Sequence, residues 1–190
     1  MNLATSIKYL FPGAEFPKDF SIYNDGDKTV IEFWGLSAPQ PSLDDLVAAY
    51  PAAKLAEDKA NKWERIKTER DRRKSGGFKV KVGGSNKWFH SDADSRIQHL
   101  GLKDKARDLI AGGGAMTDKL TILGQTVKWK TMDGSFVDVS AQVAFDIVAA
   151  AGDLDAQLFA AAETHKAAME ASADPASYDF SAGWPKSFGE

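Results

Sequence analysis

Residues 70–92 read RDRRKSGGFKVKVGGSNKWFHSD, and this stretch decides how the rest of the chain is organised. Residues 70–74 end a segment of strong helix formers that begins at residue 52. Gly76 or Gly77 supplies the C-cap, because glycine accepts the left-handed conformation at helix ends. The stretch therefore predicts the end of a long helix.

The second half of the same stretch predicts a β-hairpin and the start of another helix. Residues 78–82 alternate apolar side chains with lysines, which predicts a strand with one polar face. Residues 83–86 predict a turn, and residues 87–90 predict the returning strand. Ser91 and Asp92 are both residue types that cap a helix N-terminus.

On the N-terminal side the sequence predicts a small hairpin module before the long helix. Residues 2–11 predict a short helix with Leu3, Ile7 and Leu10 on one face. Residues 20–23 and 29–34 predict two strands joined by the turn 24–27, where Gly26 supplies a positive φ.

Helical sequence resumes at residue 43, where Ser42 predicts an N-cap and carboxylates occupy the first turn. Pro51 predicts either a kink or the first turn of a new helix. A stripe of mostly small residues then favours a short coiled coil or one packed face on the chain's own domain: Leu46, Ala49, Ala53, Ala56, Ala60 and Trp63.

On the C-terminal side the sequence predicts a helix from residue 93 to 110, with Ile97 and Leu100 facing inward and Gly101 a point of interruption. A second β unit follows, in which Asp133-Gly134 predicts a hairpin turn. Ser140 predicts the cap of a last helix, roughly residues 141–171.

These elements predict an α+β fold with an N-terminal β-hairpin module, a long connecting helix and a small C-terminal domain of β-hairpins and helices. The expected domains are the hairpin module (1–50), the connecting helix (51–75), the C-terminal α+β domain (76–171) and an aromatic C-terminal tail (172–190).

Composition excludes several classes of protein. The 190 residues are 43% hydrophobic and contain no cysteine, which excludes disulfide frameworks, thiolate zinc sites and cysteine nucleophiles. No run of about 18 apolar residues predicts a membrane span, and residues 1–8 do not resemble a signal peptide. The net charge is +4 over residues 51–74 and −6 over residues 140–190. This asymmetry favours either docking between molecules or contact between the two segments within the chain.

The sequence predicts no catalytic residue, metal site or cofactor. His90, Ser91 and Asp92 contain the residue types of a hydrolytic triad, but adjacent residues do not converge in that geometry. The three histidines, His90, His99 and His165, show no metal-ligand spacing. We therefore expect a protein that is not an enzyme.

The basic residues of segment 59–74 give an alternative reading as a nucleic-acid-binding helix. Acidic residues interleave with them, and pairs such as Glu69 with Arg73 are typical of a solvated helix. Nucleic-acid binding is therefore the second choice.

Spaced aromatic residues predict contacts with a partner protein, because such side chains in a proline-containing segment dock into apolar grooves. The alternatives are a frayed end or a tail that wraps its own domain. The expected partner-binding residues are Trp63, Trp88, Tyr178, Phe180, Trp184 and Phe188. The expected structural junction contains Arg72, Arg73, Gly76, Gly77, His90, Ser91 and Asp92.

The stretch from Ile66 to about Glu170 resembles a small bacteriophage and prophage domain of uncharacterised function, which occurs in tail-fibre proteins and in proteins encoded beside tail-fibre genes. The matching positions are Arg72-Arg73, Gly76-Gly77, Val80, residues 88–92, Ser95-Arg96, Gln98, residues 129–134 and the Ala-rich last helix. Residues 20–26 and 42–45 are similar to openings of small phage tail-associated proteins. The family implies no catalytic residues.

The resemblance implies a non-enzymatic tail protein that binds other tail or tail-fibre subunits, as a virion adaptor, a baseplate–fibre component or a tail-fibre assembly factor. Its expected partners are phage tail or tail-fibre proteins and, through the long helix, further copies of itself. Its expected location is the virion tail, or the host cytoplasm during assembly.

Overall fold

The computed structural model describes residues 2–26 and 28–190, and it confirms the α+β class. Within these residues there are four α-helices and four separate two-stranded antiparallel sheets. In chain order the elements are α1 (Leu3–Leu10), β1 (Phe20–Asn24), β2 (Thr29–Trp34), α2 (Leu43–Lys74), β3 (Phe78–Val82), β4 (Ser85–Phe89), α3 (Ala93–Ala111), β5 (Thr121–Ile122), β6 (Gln125–Thr126), β7 (Lys128–Lys130), β8 (Phe136–Asp138) and α4 (Ala141–Ala171).

The chain divides into two compact units. The first contains Met1–Glu64 and Ala168–Tyr178, and the second contains Arg65–Ala167 and Asp179–Glu190. This grouping follows contacts in space, whereas the expected division into four segments follows the chain and stays a prediction.

Helix α2 continues through Pro51, which lies inside it. The expected boundary between the hairpin module and the connecting helix, at residues 50 and 51, therefore lies within a single helix. At its start Ser42 and Asp45 form a reciprocal cap: the Asp45 N–H donates to the Ser42 hydroxyl, and the Ser42 N–H donates to the Asp45 carboxylate, both at 3.1 Å. The predicted N-cap is therefore confirmed.

The core of the first unit contains Leu3, Ile7, Ala14, Phe20 and Leu46. Of the three residues expected on one face of α1, Leu3 and Ile7 are buried, whereas Leu10 is 40% exposed. It lies in the last turn of α1, where the helix ends and Phe11 packs against Trp34 with ring centroids 5.1 Å apart.

Strands β1 and β2 pair from Phe20–Trp34 to Asn24–Thr29, with an irregularity between Ser21 and Ile22. Gly26 has a φ of 98°, as the turn prediction requires. That prediction also included Asp27, which lies outside the described residues.

In the second unit β3 and β4 form the expected hairpin. Phe78 and Val80 are buried while Lys79 and Lys81 are exposed, which confirms the alternation. The turn is tighter than expected, because Val82 pairs with Ser85 and only Gly83 and Gly84 connect the strands.

Three expectations about α3 are wrong. Asp92 alone is its N-cap, accepting from the Ser95 N–H, whereas Ser91 lies one residue too early. Ile97 and Leu100 are 67% and 53% exposed. The buried face instead carries His99, Leu102 and Ala106, and the helix passes through Gly101 without interruption.

Helix α4 supplies the largest part of the second core. Ser140 caps it by accepting from the Val143 N–H at 3.2 Å. The buried side chains of α4 in this core are Ala141, Val143, Ala144, Ile147, Ala151, Leu154 and Leu158. Nearer the end of the helix, Ala168 is exposed.

Candidate functional site: a groove occupied by the chain's own strap

Three charged side chains at the end of α2 form a compact network. The Glu69 carboxylate accepts from Arg72 at 2.7 and 2.8 Å and from Arg73 at 2.6 Å. The hydrogen bond from Arg72 is the largest cause that lowers the pKa of Glu69 to about 2, and Arg73 adds to it against the opposing effect of burial. Glu69 therefore holds Arg73 in place as a charged donor at the helix end.

The segment Asp179–Glu190, named the strap here, lies against this helix end. Arg73 donates from Nη1 to the carbonyl oxygen of Pro185 at 3.1 Å and to the carboxylate of Glu190 at 3.0 Å. The Phe188 N–H donates to the Gly76 carbonyl oxygen at 2.8 Å. Polar contacts with Arg73 and Gly76, two residues of the predicted junction, therefore hold the strap in place.

Gly76 allows the strap to approach because it has no side chain. A Cβ built at this position would lie 2.5 Å from Oγ and 2.7 Å from Cβ of Ser187. Rotation of the Ser187 hydroxyl relieves only the first of these contacts. Any larger residue at position 76 therefore requires the strap backbone to move.

Aromatic side chains of the strap pack on the same unit. The Phe188 ring meets Trp88 edge-on at 5.9 Å, and the Trp184 ring lies 4.8 Å from that of His165. The guanidinium of Arg73 lies 5.8 Å from the centre of the Trp184 ring, within cation–π range. The strap is therefore anchored by aromatic contacts in its middle, at Trp184, and near its end, at Phe188.

A cavity of about 360 Å³ lies beside the strap. Its walls come from β3, β4 and α4, with Phe78, Trp88 and Leu154 among them, and the strap contributes Pro185 and Lys186. The strap thus covers one side of a larger groove.

A second polar network ties the start of α3 to α4. Arg96 donates two hydrogen bonds to the Asp155 carboxylate, at 2.7 and 3.0 Å, and two to the Ser91 hydroxyl, at 3.0 and 2.8 Å. Ser91 is 3% exposed. Ser91 therefore accepts hydrogen bonds from Arg96 instead of capping α3 as expected.

His99 lies in an aromatic cluster of the second core. Its ring is 4.4 Å from Trp129 and about 6 Å from Phe78 and Phe89. The residue is 1% exposed, and within the described residues neither ring nitrogen has a hydrogen-bond partner. Burial, with a smaller effect of the Arg96 charge, lowers the pKa of His99 to about 4. The imidazole is neutral at pH 7 and behaves as a core aromatic residue.

The first unit has a groove of its own, lined by apolar and polar residues. A cavity of about 470 Å³ lies between β2 and the start of α2, lined by Val30, Ile31, Pro41, Leu43 and Leu46 among others. Leu43 and its neighbour one turn later, Val47, are 53% and 47% exposed. Apolar surface in a concave position is typical of a docking site.

The six expected partner-binding residues do not form one site. Trp88 contacts Phe188 and Trp184 contacts His165 in the second unit, where Phe180 lies under the guanidinium of Arg65 at 5.7 Å. Trp63 and Tyr178 lie half-buried in the first unit, where the Tyr178 carbonyl accepts from Lys62 at 2.9 Å. Their role in binding a partner stays a prediction.

The junction residues have separate roles. Arg73 and Gly76 hold the strap, Arg72 pairs with Glu69, and Asp92 caps α3. Gly77 has a φ of 85°, and a Cβ there would lie 2.3 Å from the sulfur of Met132. His90 is half-buried beside them.

Sequence reasoning missed the partners that lie far away along the chain. Asp155 is 59 residues from Arg96, Glu190 is 117 residues from Arg73, and Asp133 is 46 residues from Lys87, to which it is bonded at 3.0 Å. The opposite net charges of residues 51–74 and 140–190 were a signal for the Arg73–Glu190 pair alone, and they were equally consistent with docking between molecules. The other two pairs lie outside this pattern of charge.

The basic face of α2 is paired with carboxylates at several positions. Arg72 and Arg73 contact Glu69, Arg70 contacts Asp71 at 2.8 Å, and Lys74 lies 3.7 Å from Asp155. Such pairing lowers the positive potential available to a phosphate backbone.

The stripe of mostly small residues on the same helix is only partly buried. Leu46 and Ala53 are buried, whereas Ala56 and Ala60 are exposed. Self-association through this stripe stays a prediction.

Over residues 2–26 and 28–190, no three His, Asp or Glu side chains are grouped so that they would hold a metal ion. In the same part of the chain, none of the helices combines the length and the apolarity that crossing a membrane requires.

Comparison with known proteins gives two matches along the chain. The family described as "Domain of unknown function (DUF4376)" matches residues 57–182, and the family described as "XkdW protein" matches residues 3–58. The "Phage-like element PBSX protein XkdW" of Bacillus subtilis (strain 168) is 44% identical over 46 residues, which cover 24% of this chain and 42% of that relative. The chain therefore spans less than half the length of this relative. No solved structure matches the chain.

The two matches fall on different parts of the fold. The XkdW match contains α1, the β1–β2 hairpin and the first half of α2, and it supports the phage association that the sequence resemblance implied. The tail-fibre part of that resemblance stays a prediction. Since the other match spans residues 57–182, more than half of the chain, this protein belongs to the family of the domain of unknown function DUF4376.

Proposed function

We propose that this protein is a non-enzymatic phage tail component that binds other tail or tail-fibre subunits, either as an adaptor in the virion or as a tail-fibre assembly factor. The observation that carries the proposal is the XkdW-like segment, residues 3–58, joined in one chain to the DUF4376 domain. The relative that resembles this segment is named as a protein of a phage-like element.

The surface of the first unit supports a binding role. Its groove of about 470 Å³ lies within the XkdW-like segment and combines apolar side chains such as Val30 and Leu43 with the polar residues Lys28, Thr29 and Gln40. Leu43 and Val47 extend this surface along α2 and are each about half exposed. Burial of one such side chain at an interface contributes about 1.5–3 kcal/mol, so the groove offers an anchor for a partner.

The first experiment asks whether the chain is part of the particle. Mass spectrometry of purified virions, from the phage or prophage that encodes this chain, finds it if the protein is an adaptor. Its absence from virions contradicts the adaptor and leaves the assembly factor, which must then bind a tail-fibre protein before assembly.

The second experiment measures that binding directly. The purified chain is mixed with the tail-fibre protein of the same phage, and complex formation is followed by light scattering. Leu43→Asp places a charge in the groove and is expected to weaken the complex at least tenfold, about 1.4 kcal/mol. Leu55→Asp changes another exposed leucine of α2, 42% exposed, outside the residues that line the groove, and is the matched control. A chain that neither occurs in virions nor binds the fibre protein contradicts the proposed function.

A further inference from the structure

We propose that the strap groove is a docking site for a second copy of this chain: the strap Asp179–Glu190 of one copy leaves its own groove and occupies the groove of another. The inference concerns assembly of the chain with itself and does not depend on the proposed phage role. It rests on the observation that the groove already holds a segment whose chemistry it fits.

The fit combines charge, backbone contact and shape. Arg73, with a side chain only 11% exposed, faces the carboxylate of Glu190 at 3.0 Å. The Gly76 carbonyl accepts from the Phe188 backbone at 2.8 Å, and the absent side chain at Gly76 admits Ser187. Trp88 receives the edge of Phe188. A second copy supplies an identical segment, so no other partner sequence is needed to fill the groove.

The strap also has the properties of a displaceable segment. Ser187 is buried, but residues 181–183 are exposed and Phe188 is 40% exposed. The DUF4376 match ends at residue 182, so Trp184, Ser187 and Phe188 lie beyond the matched domain. These three strap residues are thus an addition to the matched domain, whereas Phe180 at the start of the strap lies within it.

Exchange between copies costs little, because the open dimer makes the same contacts as the closed monomer. Exchanged elements of this kind are a low-cost route to dimers. The closed form is favoured while the chain is more dilute than the effective concentration of its own tethered strap, which lies on the order of millimolar. Crowding of copies in an assembly therefore favours exchange.

The test uses two full-length variants that cannot close on themselves. Gly76→Ala blocks the groove and leaves the strap intact, since the new Cβ collides with Ser187. Trp184→Ala with Phe188→Ala removes the strap anchors and leaves the groove intact. Each variant alone is expected to be a monomer. Mixed at about 0.1 mM, below the effective concentration of a tethered strap, they are expected to form a 1:1 complex by native mass spectrometry and light scattering.

The matched control is Gly101→Ala, where the added methyl meets no atom within 4 Å and the strap stays closed. Mixed with the anchor-free variant, this control is expected to give about tenfold less complex, because its strap remains in its own groove. Hydrogen exchange at Phe188 reports strap release in the Gly76→Ala chain. A folded Gly76→Ala chain with a released strap that forms no complex overturns the proposal.

A second pair of variants covers the case in which Gly76→Ala fails to fold. Arg73→Glu repels the wild-type strap, and Glu190→Arg repels the wild-type groove. Mixing the two full chains restores an ion pair in both grooves of a reciprocal dimer. The mixture is expected to dimerise while neither variant does so alone, and a mixture that stays monomeric overturns the proposal.

Discussion

His99 predicts a specific loss of stability between pH 6.5 and pH 4. The imidazole is 1% exposed among Phe78, Phe89 and Trp129, and its nitrogens have no hydrogen-bond partner in the described residues. Burial lowers its pKa from 6.5 to about 4, and the nearby charges act in both directions, Arg96 and His90 lowering the pKa and Asp92 raising it. The folded protein therefore binds a proton less readily than the unfolded chain.

The sign and size follow from linkage. Between pH 6.5 and pH 4 the unfolded chain takes up a proton at His99 that the folded chain refuses, so the free energy of unfolding falls as the pH falls. Each unit of pKa difference corresponds to 1.36 kcal/mol, so the loss is about 2 kcal/mol at pH 5 and about 3 kcal/mol below pH 4. Above pH 7 the contribution is constant. Glu69, with a pKa lowered from 4.5 to about 2, loses its stabilisation only below pH 4.5, mostly outside this window.

The assay is urea unfolding, followed by tryptophan fluorescence, at half-unit steps from pH 7.5 to pH 5. His99→Phe keeps an aromatic ring at the position and is expected to remove most of the pH dependence in this range. Phe89→Leu is the control for packing: it is expected to lower stability at every pH and to keep the wild-type slope. A His99→Phe chain with the same slope as wild type refutes the assignment of the proton to His99.

Three further predictions rest on contacts of the second unit and on α2. Arg96→Ala leaves the Ser91 hydroxyl and the Asp155 carboxylate without their main donor. In urea unfolding it is expected to lower the free energy of unfolding by about 1–3 kcal/mol. Arg96→Lys is expected to restore little of this loss, because a lysine cannot donate the paired hydrogen bonds. Gly77→Ala is expected to lower the melting temperature, because φ is 85° and the new Cβ meets Met132. Gly101→Ala lies in open space within α3 and is expected to stabilise the protein by about 0.5–1 kcal/mol. Equal melting temperatures for the two variants contradict this reasoning. In a filter-binding assay the paired arginines of α2 predict no tight binding of duplex DNA at physiological salt, and submicromolar binding with a steep salt dependence favours the nucleic-acid alternative instead.

The parts of the fold that sequence predicted well depend on neighbours along the chain. The alternation in 78–82, the Ser42 and Ser140 caps and the hairpin at Asp133-Gly134 each follow from residues within four positions of one another. Local rules of this kind do not need knowledge of the core.

Helix α3 shows where those rules become ambiguous. Its sequence contains two apolar patterns, one through Ile97 and Leu100 and one through Leu102 and Ala106. The second is buried together with His99, a neutral aromatic residue in the core. A search for apolar residues at helical spacing does not count a histidine as hydrophobic. Ser91 and Asp92 are both residue types that cap helices. Asp92 is the N-cap in the structure, where its carboxylate accepts from both the N–H and the hydroxyl of Ser95.

Packing in the strap groove makes the aromatic residues of the tail less available to a partner protein. A partner that binds Trp184 or Phe188 must first replace their contacts with His165 and Trp88, and must leave Arg73 without its two strap acceptors. Its apparent association constant is the intrinsic value multiplied by the small fraction of chains in which the strap is open. A second copy avoids most of this penalty, because it returns an identical strap to the groove that it has opened. Leu43 and Val47 of the first unit are already exposed and carry no such cost. We therefore expect a foreign partner to contact the first unit, and we expect association of the chain with itself to use the strap groove.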